Sequence, residues 1–297
     1  MKKILITGVT GFTGYKLYNF LKKSQNWVVK GVGRGPGENV DFVCDLTDSE
    51  SLIGVKDRFS PDVVVHLAAM ARTDICENNP EECYAANVIS TRNLAEVFPD
   101  SKFIYFSTYA VYNTKEGNCD ESCEISHTNH YIKTKIEAEK HVRILDDYII
   151  LRPSVIFGYM PLEIKTRNYF MQLLDMVRNR KTMRSPADQF FNPILVDVVA
   201  EIVKASIEKN ISGTFNIGSN ENVSKYDFNR MVMERFGFDQ KYLEPAVPES
   251  DAVLRPVNGT VSSRRIQSEL LFKIPGISEM IDSLYNEIKD DLVIKEL

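Results

Sequence analysis

Short apolar runs alternate with amphipathic segments through the first half of this 297-residue chain, and the alternation limits the folds open to it. Helical periods lie near 12–24, 48–58, 80–98 and 131–146, between runs that read "KKILITG", "WVVKGVG", "DFVC", "DVVVHLAA", "KFIYFST" and "YIILRPS". Continuously apolar runs are typical of parallel strands that are buried on both faces and joined by crossover helices. The pattern predicts a doubly wound parallel α/β sheet.

The alternation of apolar runs and amphipathic segments becomes less regular after "LRPSVIFG". A helix is predicted near 167–180, and a helix near 196–208 followed by the strand "GTFNIGS" indicates a return to the sheet. The remaining residues, with prolines between short helices, suit a smaller C-terminal α/β lobe. We therefore predict one domain from residues 1–152 with about 195–217, and a substrate-binding lobe from about 153–194 and 218–297.

The stretch "TGVTGFTG" lies between the first predicted strand and the first predicted helix. Gly8 can form the tight turn, Gly11 lets the backbone approach a pyrophosphate, and Gly14 lets the helix pack closely on the strand. Backbone N–H groups at the helix start would face the anion. This G-x-x-G-x-x-G spacing predicts dinucleotide binding, and the alternative is a merely tight turn.

Arg34 follows the second predicted strand, where an NAD-binding chain usually has an acidic residue for the ribose 2′-hydroxyl. An arginine there can pair with a 2′-phosphate, so NADP(H) is favoured and NAD(H) is the alternative cofactor; a solvated surface arginine is the structural alternative. Asp45 follows the third strand, where it could accept a hydrogen bond from an adenine amino group or cap a helix.

Four hydroxyl and amine side chains form a set that, around a nicotinamide, can assist the reduction of a carbonyl group. Tyr131 and Lys135 are four residues apart in "YIKTK" and would share a helix face. An ammonium group near the phenol favours its ionised form. Ser107 and Thr108 end a buried strand, at the sheet edge where ligands bind. Each feature is common in surface helices or strand ends, but together with the glycine loop they predict chemistry beside a nicotinamide.

The charge balance and the cysteines limit the partners. A net charge of −5 argues against a broad electrostatic grip on nucleic acid or on anionic membrane. No apolar run reaches the ~20 residues of a membrane span, and no cleavage site follows "MKK", so we expect a cytoplasmic protein.

The five scattered cysteines suit a reduced compartment. We predict no metal, although Cys119, Cys123, His127 and His130 have spacings that a zinc site could use.

The chain resembles the extended short-chain dehydrogenase/reductases, and within them the dTDP-4-dehydrorhamnose reductases and their relatives. The resemblance covers nearly the whole chain and is carried by "TGVTGFTG", "DL" at 45–46, "HLAA", "NVISTRNLAE", "STYAVY", "YIKTK", "LRPSVIFG", "RNYF" and "RPVNGTVSSRRIQ". It implies a Rossmann sheet that binds a dinucleotide. It also implies that Tyr131 is the acid, that Lys135 binds the nicotinamide ribose, and that Thr108 holds the sugar carbonyl.

The cofactor-binding residues predicted from the loop and the resemblance are Gly8, Thr10, Gly11, Phe12, Thr13, Gly14, Arg34, Asp45, Leu46, Ala68, Ala69, Asn87, Ser107, Tyr131, Lys135, Pro153 and Ser154. The predicted substrate residues are Thr108, Tyr109, Asn168 and Arg255, the last as a partner for the diphosphate or as an ordinary surface arginine. Three features depart from the family pattern and face the substrate side: Tyr109 replaces a frequent aspartate, Ile132 replaces a small residue, and "FFNPI" replaces a Gly-Ser-Pro-Thr stretch.

The sequence therefore predicts NADPH-dependent reduction of the 4-keto group of a nucleotide-linked 4-keto-6-deoxysugar. Two alternatives remain open: a nucleotide-sugar epimerase, and a non-catalytic regulatory subunit that keeps the fold. A dehydratase is disfavoured because no Asp-Glu pair follows Thr108. The predicted partner is a nucleotide sugar, and the sequence is compatible with a homodimer.

Overall fold

A seven-stranded parallel sheet forms the centre of the computed structural model, which describes residues 1–112, 115–161, 168–246, 258–291 and 294. The strands of these ranges are, in chain order, β1 (Lys2–Thr7), β2 (Trp27–Gly33), β3 (Phe42–Val43), β4 (Val63–His66), β5 (Lys102–Phe106), β6 (Tyr148–Pro153), β7 (Ile156–Phe157), β8 (Met183–Pro186), β9 (Phe190–Phe191), β10 (Ile194–Leu195), β11 (Gly213–Ile217), β12 (Val223–Ser224) and β13 (Leu243–Ala246). The central sheet has the order β11-β6-β5-β4-β1-β2-β3, and every pair in it is parallel. The predicted doubly wound fold is confirmed.

Helices cover both faces of this sheet. The α-helices are α1 (Phe12–Leu21), α2 (Ser49–Arg58), α3 (Thr73–Asn78), α4 (Pro80–Tyr84), α5 (Ser90–Val97), α6 (His130–Val142), α7 (Tyr169–Arg178), α8 (Val196–Lys209), α9 (Lys225–Phe236), α10 (Arg264–Leu270) and α11 (Ile277–Ile288). Ile4 and Ile6 of β1 pack in one apolar cluster with α1 and α8, whereas Leu5 packs in another with α2, α5 and α6. Adjacent residues of one strand are thus buried on opposite faces, which explains the continuous apolar runs.

The smaller lobe is built from α7, α9, α11 and three short strand pairs: β7 with β10, β8 with β13, and β9 with β12. Its apolar side chains belong to the same cluster as α1 and α8. Most of these strands have only two residues, too few for a periodic signal in the sequence. Strand β11 pairs with β6, as the return to the sheet predicted. The division into two domains stays a prediction.

The segment predicted as one helix near 80–98 is divided. Helix α4 ends at Tyr84, a π-helical turn spans Ala85–Ile89, and α5 continues from Ser90. The unpredicted helix α3 precedes them. A π turn inserts an extra residue without changing the apolar pattern enough to be read from the sequence, and such turns are frequent at functional sites.

The glycine turn brings α1 against β1. Gly8 has a φ of +74°, and a Cβ there would lie 2.7 Å from the Ala68 backbone nitrogen. Gly14 packs within the first turn of α1, where a Cβ would overlap the Gly8 carbonyl oxygen. The helix can therefore start directly above the strand only because neither position carries a side chain.

Replacing Gly14 with alanine should destabilise the protein by roughly 1–3 kcal/mol, because backbone must shift to admit the methyl group. The matched control is Gly54→Ala in α2, where nothing lies within 4 Å of the added Cβ. That change should raise stability by about 0.5–1 kcal/mol, since alanine is the better helix former. Urea unfolding of both variants tests the close contact, and equal effects would contradict it.

Candidate active site

The amino end of α1 is prepared for an anion. Gly11 precedes the helix, no side chain in the described ranges caps it, and its first turn carries no acidic residue. The N–H groups of this turn therefore keep their hydrogen-bonding capacity for a ligand, and the helix dipole adds positive potential. Together with the side-chain-free approach at Gly8 and Gly14, this end fits the pyrophosphate of a dinucleotide. Thr10 is exposed and Thr13 half-buried at the same loop, while Phe12 is buried.

A buried chain of hydrogen bonds fixes the loop opposite this helix end. The backbone N–H groups of Leu67 and Ala68 both donate to Thr7 Oγ1, each at 3.2 Å. Both lone pairs of that hydroxyl are then in use, so its proton goes to His66 Nδ1 at 2.7 Å. The residues predicted to line the cofactor after β4, Ala68 and Ala69, are held here, half-buried and exposed respectively.

The hydrogen bond from Thr7 fixes the tautomer of His66. Since Nδ1 accepts a proton from Thr7, the ring proton is on Nε2, which donates to Thr91 Oγ1 at 3.0 Å. Thr91 in turn donates to the backbone oxygen of Asn87 at 2.6 Å. Burial lowers the pKa of His66 to about 3, and the Lys135 ammonium adds to this effect. The imidazole is therefore neutral at physiological pH.

Asn87 lies in the π turn and joins the loop after β4 to α6. Its Oδ1 accepts from the Met70 N–H at 2.7 Å, and its Nδ2 donates to the Met70 carbonyl at 3.1 Å and to Thr134 Oγ1 at 2.9 Å. Thr134 then donates to the Tyr131 carbonyl at 2.8 Å. The side chain is buried and fully used in these contacts, so it positions the helix that carries Tyr131.

Arg34 follows the end of β2 and Asp45 follows the end of β3, and both are exposed. Hydrogen bonds from the backbone and side chain of Thr47 lower the pKa of Asp45, and the Arg34 charge contributes. The side chain that caps α2 is Asp48, so the interpretation of Asp45 as that helix's cap is wrong. Leu46 is buried beside it. Arg34, Asp45 and Leu46 stay predictions as cofactor contacts.

Tyr131, Thr108 and Lys135 meet at the carboxyl ends of β4 and β5. Tyr131 and Lys135 share α6, as their spacing predicted. Burial raises the pKa of the Tyr131 phenol above its ordinary value, and a hydrogen bond with Thr108 opposes this rise. The net shift is therefore opposite to the expectation that a nearby ammonium would favour the ionised phenol. The phenol keeps its proton at neutral pH.

Lys135 is 3% exposed, and its Nζ lies 4.2 Å from the centroid of the Tyr105 ring. Within the residues that the structure describes, Nζ has no hydrogen-bond acceptor. Burial lowers the pKa of this ammonium to about 7, although the Glu139 carboxylate and the Cys83 thiol act in the other direction. A buried cation with unused donors fits the hydroxyls of a cofactor ribose.

The two hydroxyls of the Ser-Thr pair point in different directions. Thr108 faces Tyr131, and its Oγ1 also accepts from the Ala110 N–H at 3.2 Å. Ser107 donates instead to Glu139 Oε1 at 2.6 Å, away from the cleft. The geometry thus supports Thr108 as the predicted catalytic hydroxyl, whereas Ser107, predicted to contact the cofactor, has its proton committed to a buried carboxylate.

The remaining predicted residues are Tyr109, Asn168 and Arg255 for the substrate and Pro153 and Ser154 for the cofactor. The ring of Tyr109 packs directly on Gly259. Asn168 caps α7 by accepting from the Phe170 and Met171 N–H groups, so its carbonyl oxygen is used within the fold. Pro153 ends β6 and Ser154 follows it, and both are buried. Ser154 Oγ has no partner in the described residues, which leaves it for a ligand. Arg255 lies outside the described residues, as does the start of the helix predicted from 167.

Two further sequence features have structural outcomes. Among the residues that the structure describes, no three His, Cys, Asp or Glu side chains are grouped as a metal site would require, and this includes the segment of Cys119, Cys123, His127 and His130. No helix of the described residues has both the length and the apolar character of a membrane span.

Four residues of the site were not predicted as functional: Thr7, His66, Glu139 and Arg152. Thr7 and His66 end adjacent strands, and parallel strands place such ends side by side. Glu139 follows Lys135 by four residues, so the helical spacing could have identified it. Arg152 stands in the apolar run "YIILRPS", where a charged residue is unusual and signals a buried partner.

Comparisons with known proteins agree with this fold. A family model described as "RmlD substrate binding domain" matches residues 1–289. The chain is 26% identical to "Methionine adenosyltransferase 2 subunit beta" of Danio rerio, over 98% of this chain and 90% of that protein. It is also 26% identical to "Probable low-salt glycan biosynthesis reductase Agl14" of Haloferax volcanii, over 96% and 98%.

Solved structures of nucleotide-sugar enzymes have the same fold. A dTDP-4-dehydrorhamnose reductase from Bacillus anthracis in complex with NADP superposes with a TM-score of 0.84 at 20% identity, covering 97% of this chain and 100% of that one. A UDP-glucose 4-epimerase from Thermotoga maritima, solved with UDP-glucose, gives 0.81 at 20% identity, covering 96% and 99%. This likeness confirms the Rossmann-type architecture.

The His66 chain predicts a specific pH dependence of stability. Between pH 3 and 6.5 the unfolded chain binds a proton at His66 that the folded chain excludes, so this residue's contribution falls as the pH falls. From pH 7 to pH 5 the loss should be about 2 kcal/mol. Urea unfolding at both pH values should therefore show a smaller decrease for His66→Gln, which can keep both hydrogen bonds without titrating. An equal decrease in the two proteins would contradict the neutral tautomer.

Proposed function

The chain belongs to the RmlD substrate binding domain family of extended short-chain dehydrogenase/reductases, and we propose that it uses NADPH to reduce the 4-keto group of a nucleotide-linked 4-keto-6-deoxysugar. Family membership confirms the resemblance found in the sequence, and it supports the prediction of an NAD(P)-dependent oxidoreductase. The choice of substrate and of NADPH is the proposal.

One observation carries the proposal: a phenol that keeps its proton is hydrogen-bonded to a threonine hydroxyl at the carboxyl edge of the sheet. A dinucleotide held along the glycine loop would supply the hydride. Tyr131 would donate its proton to the carbonyl oxygen as negative charge develops there, and Thr108 would donate a hydrogen bond to the same oxygen. Lys135 would hold ribose hydroxyls and stabilise the phenolate left on Tyr131.

The relatives support a reductase in deoxysugar or glycan biosynthesis. The Haloferax relative is called a glycan biosynthesis reductase, and solved structures of like fold are dTDP-4-dehydrorhamnose reductases. Other relatives are named as the beta subunit of methionine adenosyltransferase 2, so the alternative of a regulatory subunit has to be tested by experiment. The intact set of Thr108, Tyr131 and Lys135 favours the enzyme, because a scaffold requires no proton donor in the cleft.

Replacing Tyr131 with phenylalanine should lower kcat about 10²- to 10⁴-fold, because the ring stays in place and only the proton donor is lost. The measurement is oxidation of NADPH with a panel of 4-keto sugar nucleotides, and NADPH affinity should change little. Tyr84→Phe, at an exposed tyrosine of α4, is the matched control. Full turnover in Tyr131→Phe would refute the mechanism. Absence of turnover with every panel member would favour the regulatory subunit, and recycling without net NADPH oxidation an epimerase.

Arg34 is proposed to pair with the 2′-phosphate of NADP(H), because it is exposed at the end of β2 and a guanidinium can engage phosphate through two donors. Arg34→Gln should raise the KM for NADPH about 10-fold and leave the KM for NADH nearly unchanged. Arg184→Gln, at an exposed arginine of the smaller lobe, is the control. Equal changes for both cofactors would exclude recognition of the phosphate.

A further inference from the structure

A carboxylate is buried directly behind the proposed active site. Glu139 is 1% exposed and follows Lys135 by one turn of α6. Its Oε1 accepts from Ser107 Oγ at 2.6 Å and from Arg152 Nε at 2.9 Å. Its Oε2 accepts from Arg152 Nη2 at 2.6 Å and from Arg143 Nη2 at 3.1 Å. Both oxygens are therefore satisfied, and Glu139 can act on Lys135 only through its charge.

Arg152 extends this arrangement towards the sheet edge. It is 2% exposed, and its remaining Nη1 donates to the Tyr112 hydroxyl at 2.6 Å. Tyr112 must then donate its own proton to Asn216 Oδ1 at 3.0 Å. Asn216 Nδ2 donates to the Cys119 carbonyl at 3.0 Å. Each nitrogen of the Arg152 guanidinium thus has an acceptor, and the orientation of the Glu139 carboxylate is fixed from several elements.

Lys135 is surrounded by few groups that can carry charge. The titratable and charged side chains packed around it from β4, β5, β6, α4 and α6 are His66, Tyr105, Arg152, Cys83, Tyr131 and Glu139. His66 is neutral, and burial raises the pKa of Tyr105 well above its ordinary value. Burial would also raise the pKa of Glu139, but the hydrogen bond and charge of Arg152 hold it below its ordinary value. Glu139 is thus the anion of this set at neutral pH.

We infer that Glu139, oriented by Arg152, is a positioning residue for the reduction: its charge favours the protonated form of the buried Lys135 side chain, and its hydrogen bond from Ser107 fixes the strand end that carries Thr108. The inference rests on the proposed function for the task of Lys135. A buried ion pair that only stabilises the fold is the competing explanation, and it predicts changes in stability without a change in the ionisation of Lys135.

Three variants separate these explanations. Glu139→Gln keeps an acceptor for Ser107 but removes the charge and leaves Arg152 unpaired. The double variant Glu139→Gln/Arg152→Met removes both charges, so its stability should exceed that of the single variant. Glu137→Gln makes the same chemical change on the same helix, in an exposed ion pair with Lys140, and serves as the matched control.

The primary measurement is a pH titration of Lys135 by NMR in protein labelled with ¹³C at the lysine Cε, with the resonance assigned by its absence in Lys135→Met. Wild type should titrate near pH 7. Glu139→Gln should titrate about one pH unit lower, because an attractive charge is lost and a repulsive one is exposed. The double variant should fall between the two, and Glu137→Gln should match wild type. Thermal unfolding measured in parallel records the stability of each protein.

An unchanged Lys135 titration in folded Glu139→Gln or in the folded double variant would overturn the inference. Loss of the fold in both would also overturn it, by showing that the pair is needed for stability alone. In the NADPH-oxidation assay, the alkaline decline of kcat should move to lower pH in the same order as the titrations. If the titrations shift as expected but no 4-keto sugar is reduced, the proposed function fails while the control of Lys135 by Glu139 stands.

Discussion

Burial of polar groups at the carboxyl ends of the parallel strands is the constraint on which the site depends. Strands β1, β4, β5 and β6 end in Thr7, His66, Ser107 and Arg152 or next to them, and all four side chains are nearly inaccessible to water. Each must find a protein partner, since an unpaired buried polar group costs about 1–3 kcal/mol. The two resulting networks, from Thr7 to Asn87 and from Ser107 to Asn216, fix the walls of the cleft.

Burial has opposite effects on the pKa values of the two proposed catalytic groups, Tyr131 and Lys135. Burial disfavours the charged form of each, so it raises the pKa of the Tyr131 phenol and lowers that of the Lys135 ammonium. The first effect favours an acid that holds its proton until the carbonyl oxygen needs it. The second works against the cation, and the oriented carboxylate of Glu139 opposes it. Tyr131 and Lys135 therefore differ, although they lie four residues apart on α6: the phenol stays protonated without a nearby charge, whereas the ammonium needs a nearby anion.

The sequence predicted the features that depend on local pattern. The sheet, most helices and the glycine turn follow from periodicity and from glycine's lack of a side chain, and the spacing of Tyr131 and Lys135 placed them on one face. It could not predict that Ser107 faces Glu139 or that Asn168 caps α7, because both depend on partners brought together by tertiary packing. The π turn around Asn87 was missed because one inserted residue hardly alters an apolar pattern.

The packing of Tyr109 on Gly259 joins the catalytic strand end to the smaller lobe. No side chain fits at 259 while the tyrosine ring stays where it is, so the two positions cannot change independently. A relative with a smaller residue at 109 has room for a side chain at 259, whereas a side chain at 259 requires the Tyr109 ring to move. Diversity of this wall among relatives is therefore expected to couple the two positions.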